Sequence, residues 1–391
     1  MLSKNSSQPA LNEDWRAGGF GIYIHWPYCE AKCPYCDFNS HVTRSIDHDA
    51  WRAAYREELQ KLHEEAPGRI LNSVFFGGGT PSLMEPDTVA TMIEQIKTLW
   101  PIANDLEVTL EANPSSVEAE RFRDFRCAGI NRVSMGIQAL NDTDLKRLGR
   151  RHTKTEALRA FDIARDTFDR VSFDLIYGRQ DQALEDWRVE LSEALSLTVD
   201  HLSLYQLTIE PGTAFGDRYN AGKLRGLPSD DLGADLYELT QDLCGEAGLP
   251  AYEVSNHAKD GAQSRHNLIY WRYGDYGGIG PGAHSRLTLN GQRHAIEHAL
   301  MPGPWLNGRR EDTRSILSDR EQAQELVMMS LRLKQGMDLA RFEALNGRSF
   351  DTATLKHLCD LGMISFDGGR LSVSKQGFSV LNAILAELLN F

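Results

Sequence analysis

The chain has 391 residues, 41% hydrophobic and 25% charged, with a formal net charge of −13. That length carries a large core and argues for two domains, and the balance is that of an ordinary globular chain. The acidic excess argues against a nucleic acid partner, because phosphate binding rests on basic patches. No apolar run approaches bilayer-spanning length, while composition leaves peripheral membrane contact open.

In chain order, residues 1–18 are polar and mixed in charge, without a basic start and apolar core, and read as a disordered tail. With cysteine sparse and no secretory signal, a cytoplasmic location with reduced thiols is expected. Residues 19–250 then alternate short β-branched or aromatic runs with amphipathic stretches. Strands are expected at Phe20–Trp26, Ser73–Phe76, Leu106–Glu111, Arg132–Gln138, Val171–Tyr177 and His201–Thr208. Helices are expected at Ile46–Glu65, Asp87–Leu99, Val117–Cys127, Lys154–Asp166 and Leu184–Leu197. Six such repeats mean parallel βαβ units of an α/β fold, either an open doubly wound sheet or a partial barrel. Polar residues cluster at the C-terminal strand ends, where such folds build their sites, which favours the barrel.

Residues 251–310 turn to Gly, Tyr, His and Asn and read as a loop-rich segment wrapping one end of the barrel. Residues 311–391 read as a separate unit: helices at Asp319–Lys334, Leu339–Leu345 and Asp351–Leu361, a hairpin around Asp367-Gly368-Gly369, and a last helix to Leu389. That order resembles a winged helix. Its nine basic against eleven acidic side chains point to docking or capping of the barrel rather than DNA binding.

The chemistry centres on Cys29, Cys33 and Cys36, spaced C-x3-C-x2-C just after the first strand. Pro27 and Pro34 make a loop the better reading than a helix. Three thiolates are one ligand short of closing a zinc site or an ordinary iron–sulfur cluster, so an iron–sulfur centre with one open position fits. A redox dithiol at Cys33 and Cys36, and structural zinc completed by His25 or His41, stand as alternatives. After the second strand comes Gly77-Gly78-Gly79-Thr80-Pro81, which lacks the Lys-Ser/Thr of a phosphate loop but allows close backbone approach to a ligand.

With that glycine loop, the cysteine loop resembles the radical S-adenosylmethionine (radical SAM) superfamily. Nearly the whole chain resembles its coproporphyrinogen-oxidase-like branch, through Tyr23-Ile24-His25-Trp26-Pro27-Tyr28-Cys29, Leu110-Glu111-Ala112-Asn113-Pro114, Ser134-Met135-Gly136-Ile137-Gln138 and Leu148-Gly149-Arg150. The resemblance implies a partial (β/α)6 barrel and a [4Fe–4S] cluster held by Cys29, Cys33 and Cys36. Its fourth iron would be chelated by S-adenosylmethionine, and an electron from the reduced cluster would release methionine and a 5′-deoxyadenosyl radical. Residues matching the family's S-adenosylmethionine contacts are Tyr23, Gly78, Gly79, Thr80, Glu111, Gln138, Arg150 and Asp174. Glu111 would receive the methionine ammonium, Arg150 its carboxylate and Asp174 the ribose hydroxyls.

The branch holds oxygen-independent coproporphyrinogen III oxidases, which decarboxylate propionates, and a haem-chaperone (HemW) type. The oxidase motif continues with a fourth cysteine, where this chain has Phe38, and the oxidase carries a longer N-terminal extension than the 28 residues preceding Cys29. His266-Asn267-Leu268-Ile269-Tyr270-Trp271 matches the haem-associated motif of the chaperone type. His266 would offer an imidazole, Tyr270 a phenolate and Trp271 an apolar face for haem, with His284 as a second candidate. As a strand, the segment would put His266 and Tyr270 on one side. The expectation is a haem-binding protein that takes haem as cargo, passes it to an acceptor protein and draws on an electron donor. The oxidase is the alternative, and a zinc-dependent docking protein a third reading.

Overall fold

The computed structural model describes residues 11–43 and 45–389. The six expected strands are present: β1 (Phe20–Trp26), β2 (Leu71–Gly78), β3 (Ile102–Ala112), β4 (Arg132–Gln138), β5 (Arg170–Tyr177) and β6 (His201–Gln206). They pair in parallel in that order. Crossover helices α1 (His48–Glu65), α2 (Pro86–Leu99), α3 (Ser116–Glu120), α4 (Phe122–Ala128), α5 (Lys154–Thr167) and α6 (Leu184–Leu197) connect them. The helix expected at Val117–Cys127 is thus two helices, broken at Arg121, whose guanidinium reaches the Ser82 carbonyl at 2.8 Å.

The Gly/aromatic segment is not the loop wrap expected of it. It supplies β7 (Asn256–Ala258), β8 (Asp275–Ile279), β9 (His284–Leu289) and β10 (Gln292–His298), and β11 (Glu311–Ile316) follows. The sheet order is β11-β10-β9-β8-β1-β2-β3-β4-β5-β6-β7, with β8 parallel to β1 and β7 and β9–β11 antiparallel to their neighbours. Seven parallel strands therefore form the centre, and the described residues show no pairing between the two end strands. The glycines that suggested a loop serve close packing instead. A Cβ on Gly277 would meet Leu62 of α1 at 2.5 Å.

The His266 segment is likewise not a strand but a helix, α7 (Arg265–Trp271). Ser264 caps it, and the buried Glu107 carboxylate accepts from the backbone N–H of Arg265 at 3.0 Å and of His266 at 3.3 Å. Helical spacing keeps His266 and Tyr270 on one side by a different route, one turn apart.

Of the tail expected to be disordered, residues 1–10 lie outside the described residues, but Leu11–Ala17 is a 3-10 segment kinked at Glu13. It is held from afar: Arg341 donates to both Asp14 carboxylate oxygens, at 2.6 and 2.7 Å, and Arg69 covers the Trp15 ring at 4.5 Å.

A continuous core of β1–β6 side chains and inner helix faces, including Trp26, Trp51, Tyr55 and Trp305, holds the barrel. Each such fully buried side chain contributes about 1.5–3 kcal/mol. A second core, with Leu326, Phe342, Leu371 and Ile384, gathers α8 (Asp319–Ser330), α9 (Leu339–Asn346), α10 (Thr352–Asp360), the hairpin Ile364–Asp367/Arg370–Val373 and α11 (Leu381–Leu388). This unit meets the barrel through Glu325, which pairs with Arg286 at 2.8 Å and accepts from the Tyr273 hydroxyl at 2.9 Å. Among the described residues, no helix is long and apolar enough to cross a membrane.

Candidate functional site at the C-terminal ends of the parallel strands

β1 runs into a two-residue strand, Tyr28–Cys29, paired with His41–Val42, and the three cysteines sit on the loop between and around them. The Cys36 N–H donates to the Cys33 carbonyl at 3.1 Å, closing a turn. Both ring nitrogens of His25 are occupied: Nδ1 meets the Tyr23 hydroxyl at 3.0 Å and Nε2 the Asn39 carbonyl at 2.9 Å. His25 therefore braces the loop from beneath, and His41 is held by Asn39 Oδ1 at 3.1 Å. The His25 imidazole is therefore not free to complete a zinc site as the fourth ligand.

The glycine loop packs directly on this loop. Gly79 N donates to Trp26 O at 2.7 Å and Thr80 N to Tyr28 O at 2.8 Å. Gly78 has φ +109°, and a Cβ on Gly79 would meet Tyr28 O at 2.6 Å. Only glycine lets the backbones approach so closely. Thr80 Oγ1 lies 3.4 Å from Cys29 Sγ, and Arg150 Nη1 lies 3.3 Å from Cys33 Sγ. Burial pushes the Cys29 and Cys36 thiols up, so the energy of binding a metal centre must supply their deprotonation.

A cavity of about 340 Å³ opens between the loops. The three cysteines line it, and so do Gly78, Gly79 and Thr80; Glu111, Gln138 and Asp174 enter from the strands beyond, and Arg150 from the connection that precedes α5. Glu111 accepts from Gly78 N at 3.2 Å, and burial, then the neighbouring Asp174 charge, pushes its carboxyl up to about 8. Asp174 is held up at about 6 by burial, against a 3.3 Å hydrogen bond from Ser134. Gln138 sits at φ +75° with its buried Oε1 unbonded, and Arg150 Nε is buried and unbonded. Two desolvated carboxyls with few donors, an unpaired amide oxygen and an unpaired guanidinium N–H suit a ligand bringing both amine and carboxylate groups.

Tyr23 is not brought to this cavity. It is half-buried beside Phe75 and His266, and its hydroxyl meets His25 beneath the loop. Asn113, not singled out from the sequence, joins the site: Nδ2 donates to Thr80 Oγ1 at 3.1 Å and Oδ1 accepts from Arg150 at 2.7 Å. Its place two residues after Glu111 was the available signal. Glu118 was also missed. It accepts from Asn113 N at 2.8 Å and from the Ser82 hydroxyl, tying the strand end to the glycine loop.

Comparison with known proteins decides the family. Residues 23–191 match the radical SAM superfamily model and residues 317–380 the HemN C-terminal domain model. The chain is 38% identical to "Heme chaperone HemW" of Escherichia coli (strain K12), over 93% of this chain and 96% of that one. It is also 38% identical to "Radical S-adenosyl methionine domain-containing protein 1, mitochondrial" of Bos taurus, over 94% and 87%. The chain belongs to the HemW family of radical SAM proteins. The HemW-family chain shares its fold with the solved coproporphyrinogen III oxidase (HemN) of Escherichia coli, at a TM-score of 0.79 and 20% identity, covering 96% of this chain and 92% of that one.

Radical SAM membership implies a [4Fe–4S] cluster and S-adenosylmethionine. When bound, the cluster supplies an electron and one iron with an open coordination position. The donor set fits it: three free cysteines line one cavity. The haem-motif residues lie elsewhere. His266, 8% exposed, stacks on Phe75 with centroids 4.0 Å apart, and Tyr270 meets it edge-on at 4.5 Å. Trp271 faces Arg332 of the C-terminal unit at 6.0 Å. Burial pushes His266 down to about 3, so its imidazole is neutral.

Proposed function

We propose that this chain binds haem and delivers it to acceptor proteins, using a [4Fe–4S] cluster on Cys29, Cys33 and Cys36 with S-adenosylmethionine bound beside it. The cavity chemistry supports the second half. Glu111 takes the methionine ammonium, the Arg150 guanidinium its carboxylate, and Asp174 the ribose hydroxyls. Gly78, Gly79, Thr80 and Gln138 contribute backbone and amide contacts, and Tyr23 acts by positioning His25 under the loop. An electron donor is required, and a reducing compartment such as the cytoplasm keeps the three thiols available.

The observation that carries the haem half is near-full-length identity to a relative named as a haem chaperone, together with Phe38 at the position of the oxidase's fourth cysteine. His266, Tyr270 and Trp271 are the haem contacts the motif nominates. The stacking of His266 on Phe75 favours a second reading of this segment, as a plug beneath the barrel interior that haem reaches only if α7 moves.

The test is anaerobic incubation of the cluster-loaded protein with coproporphyrinogen III, S-adenosylmethionine and reductant, beside haem titration. Haem uptake without protoporphyrinogen is expected. Formation of protoporphyrinogen would replace this reading with the oxidase.

A further inference from the structure

Branched apolar side chains normally fill the interior of an α/β barrel. Here the row of residues that β4 and β5 turn toward the cavity carries small hydroxyls above a cation. Ser134 pairs in register with Glu111 of β3 on one side and with Ser172 of β5 on the other, and Arg132 stands two residues before Ser134 on the same face. Arg132 is 3% exposed, yet among the described residues its side chain makes one hydrogen bond, from Nη2 to Ser172 Oγ at 3.0 Å, and pairs with no carboxylate. Glu107 on β3 is engaged elsewhere, with Arg170 at 3.8 Å and the first amides of α7. A buried guanidinium without an ion-pair partner is costly to keep, which asks what its charge serves.

The hydrogen bonds above it supply the answer. Ser172 Oγ lies 3.0 Å from Ser134 Oγ, and Ser134 Oγ donates to Asp174 Oδ1 at 3.3 Å. The direction of every link is fixed, because a guanidinium only donates, a carboxylate only accepts and each serine has one proton. Ser134 gives its proton to Asp174, so it accepts from Ser172, which accepts from Arg132. The links align head to tail and polarise one another, and both serines are buried, so solvent does not break the chain. Other charged or titratable groups face Asp174 from β3 (Glu111), from β6 (Tyr205) and from the connection before α5 (Arg150). Burial keeps Tyr205 protonated, and burial likewise keeps His201 of β6 and His266 of α7 neutral near Arg132. The burial that holds the Asp174 carboxyl up at about 6 is opposed by Ser203, Arg132, Ser134 and Arg150.

We propose that Arg132 is a positioning residue for S-adenosylmethionine: acting through Ser172 and Ser134, it aims an ionised Asp174 at the ribose hydroxyls. Ser134 and Asp174 line the cavity, and Arg132 lies beneath them without touching the ligand. The inference rests on the reading above that Asp174 receives those hydroxyls, and it adds the group that keeps the carboxylate charged and oriented.

The experiment is equilibrium dialysis of S-adenosylmethionine against the full-length, cluster-loaded protein at about pH 7 and about pH 8.5. Wild type, Arg132→Met, Arg132→Lys, Ser172→Ala and Asp174→Asn are compared, together with Arg132→Met and Ser172→Ala each combined with Asp174→Asn. Iron content and thermal midpoint report an intact fold. We expect Arg132→Met to weaken binding about tenfold at neutral pH and less at the higher pH, where Asp174 ionises without help. Arg132→Lys should restore part of the loss, and Ser172→Ala should show a smaller loss with the same pH dependence. In the Asp174→Asn background either change should add little, because all act through one carboxylate. Losses equal at both pH values, or fully additive with Asp174→Asn, would overturn the inference and leave Arg132 a structural cation. So would unchanged binding in Arg132→Met and Ser172→Ala beside weakened binding in Asp174→Asn. If Arg132→Met does not fold, Ser172→Ala and its combination with Asp174→Asn decide by the same criteria. Wild-type affinity in Asp174→Asn, or no binding by the wild type, would overturn the underlying reading of the site instead.

Discussion

The two ends of the barrel bury their charges in opposite ways. At the lower end Asp275 is 0% exposed and saturated: Arg69 pairs with one oxygen, Arg293 reaches the other at 3.2 Å, and the Thr288 hydroxyl adds a bond at 3.1 Å. At the upper end Glu111 and Asp174 are half-buried in the cavity wall and have one backbone N–H and a few hydroxyls between them. A buried carboxylate enclosed by guanidinium groups holds structure together. One left short of donors is waiting for a ligand that brings them.

The largest effect should come from emptying the upper end. The Cys29→Ala/Cys33→Ala/Cys36→Ala variant is expected to bind no cluster iron, measured by iron content and visible absorbance after anaerobic reconstitution. Its ligand-free thermal midpoint should stay near wild type, because these thiols support no core. A collapse of the fold would erase the distinction between the two ends.

Asp275→Ala should then cost about 3–5 kcal/mol in denaturant unfolding, since it strands Arg69 and Arg293 as buried unpaired cations. A loss within about 1 kcal/mol, the value of an ordinary surface pair, would show that the lower network is dispensable.

Glu111→Gln should weaken S-adenosylmethionine binding to the cluster-loaded protein by about tenfold to a hundredfold, as loss of a charge-assisted contact does. It should leave ligand-free stability at neutral pH undiminished, the reverse of Asp275→Ala. Equilibrium dialysis and thermal unfolding separate the two outcomes.

The last test is in pH. Glu111 is raised from about 4.5 to about 8 in the folded chain, so the folded state holds its proton more tightly than the unfolded state. Its contribution is fully present below about pH 4.5 and is lost as the pH rises through about 8. The ligand-free wild type should lose stability across that window, and Glu111→Gln should show a shallower slope. Equal slopes would mean that Glu111 finds a donor in solution that it lacks here.

Much of the upper end was legible in the sequence because its chemistry is local. The cysteine spacing, the glycine loop after β2 and Glu111 at the end of β3 are each short signals, and short apolar, β-branched or aromatic runs marked the six strands. What escaped depended on distant partners. Nothing near Asp275 announces that Arg69 and Arg293 close on it, or that its glycine-rich neighbourhood becomes a parallel strand beside β1. The Leu11–Ala17 turn is held by Arg341, 327 residues from Asp14. Glu107, which draws the N-terminal backbone of α7 into register, lies 159 residues from His266, so an aromatic run that could be read as a strand folds as a helix.

Asn39 sets an order of assembly. Its amide bonds to residues 242 and 261 positions later in the chain, Pro281 and Leu300. During synthesis the cysteine loop is thus made early but cannot be fastened until the β9–β10 hairpin and the turn after it have been made. A chain stopped short of Leu300 would carry all three thiols without the clamp that sets their loop. Insertion of iron and sulfur into a correctly held loop therefore belongs late in the life of the nascent chain, after most of the barrel has closed around it.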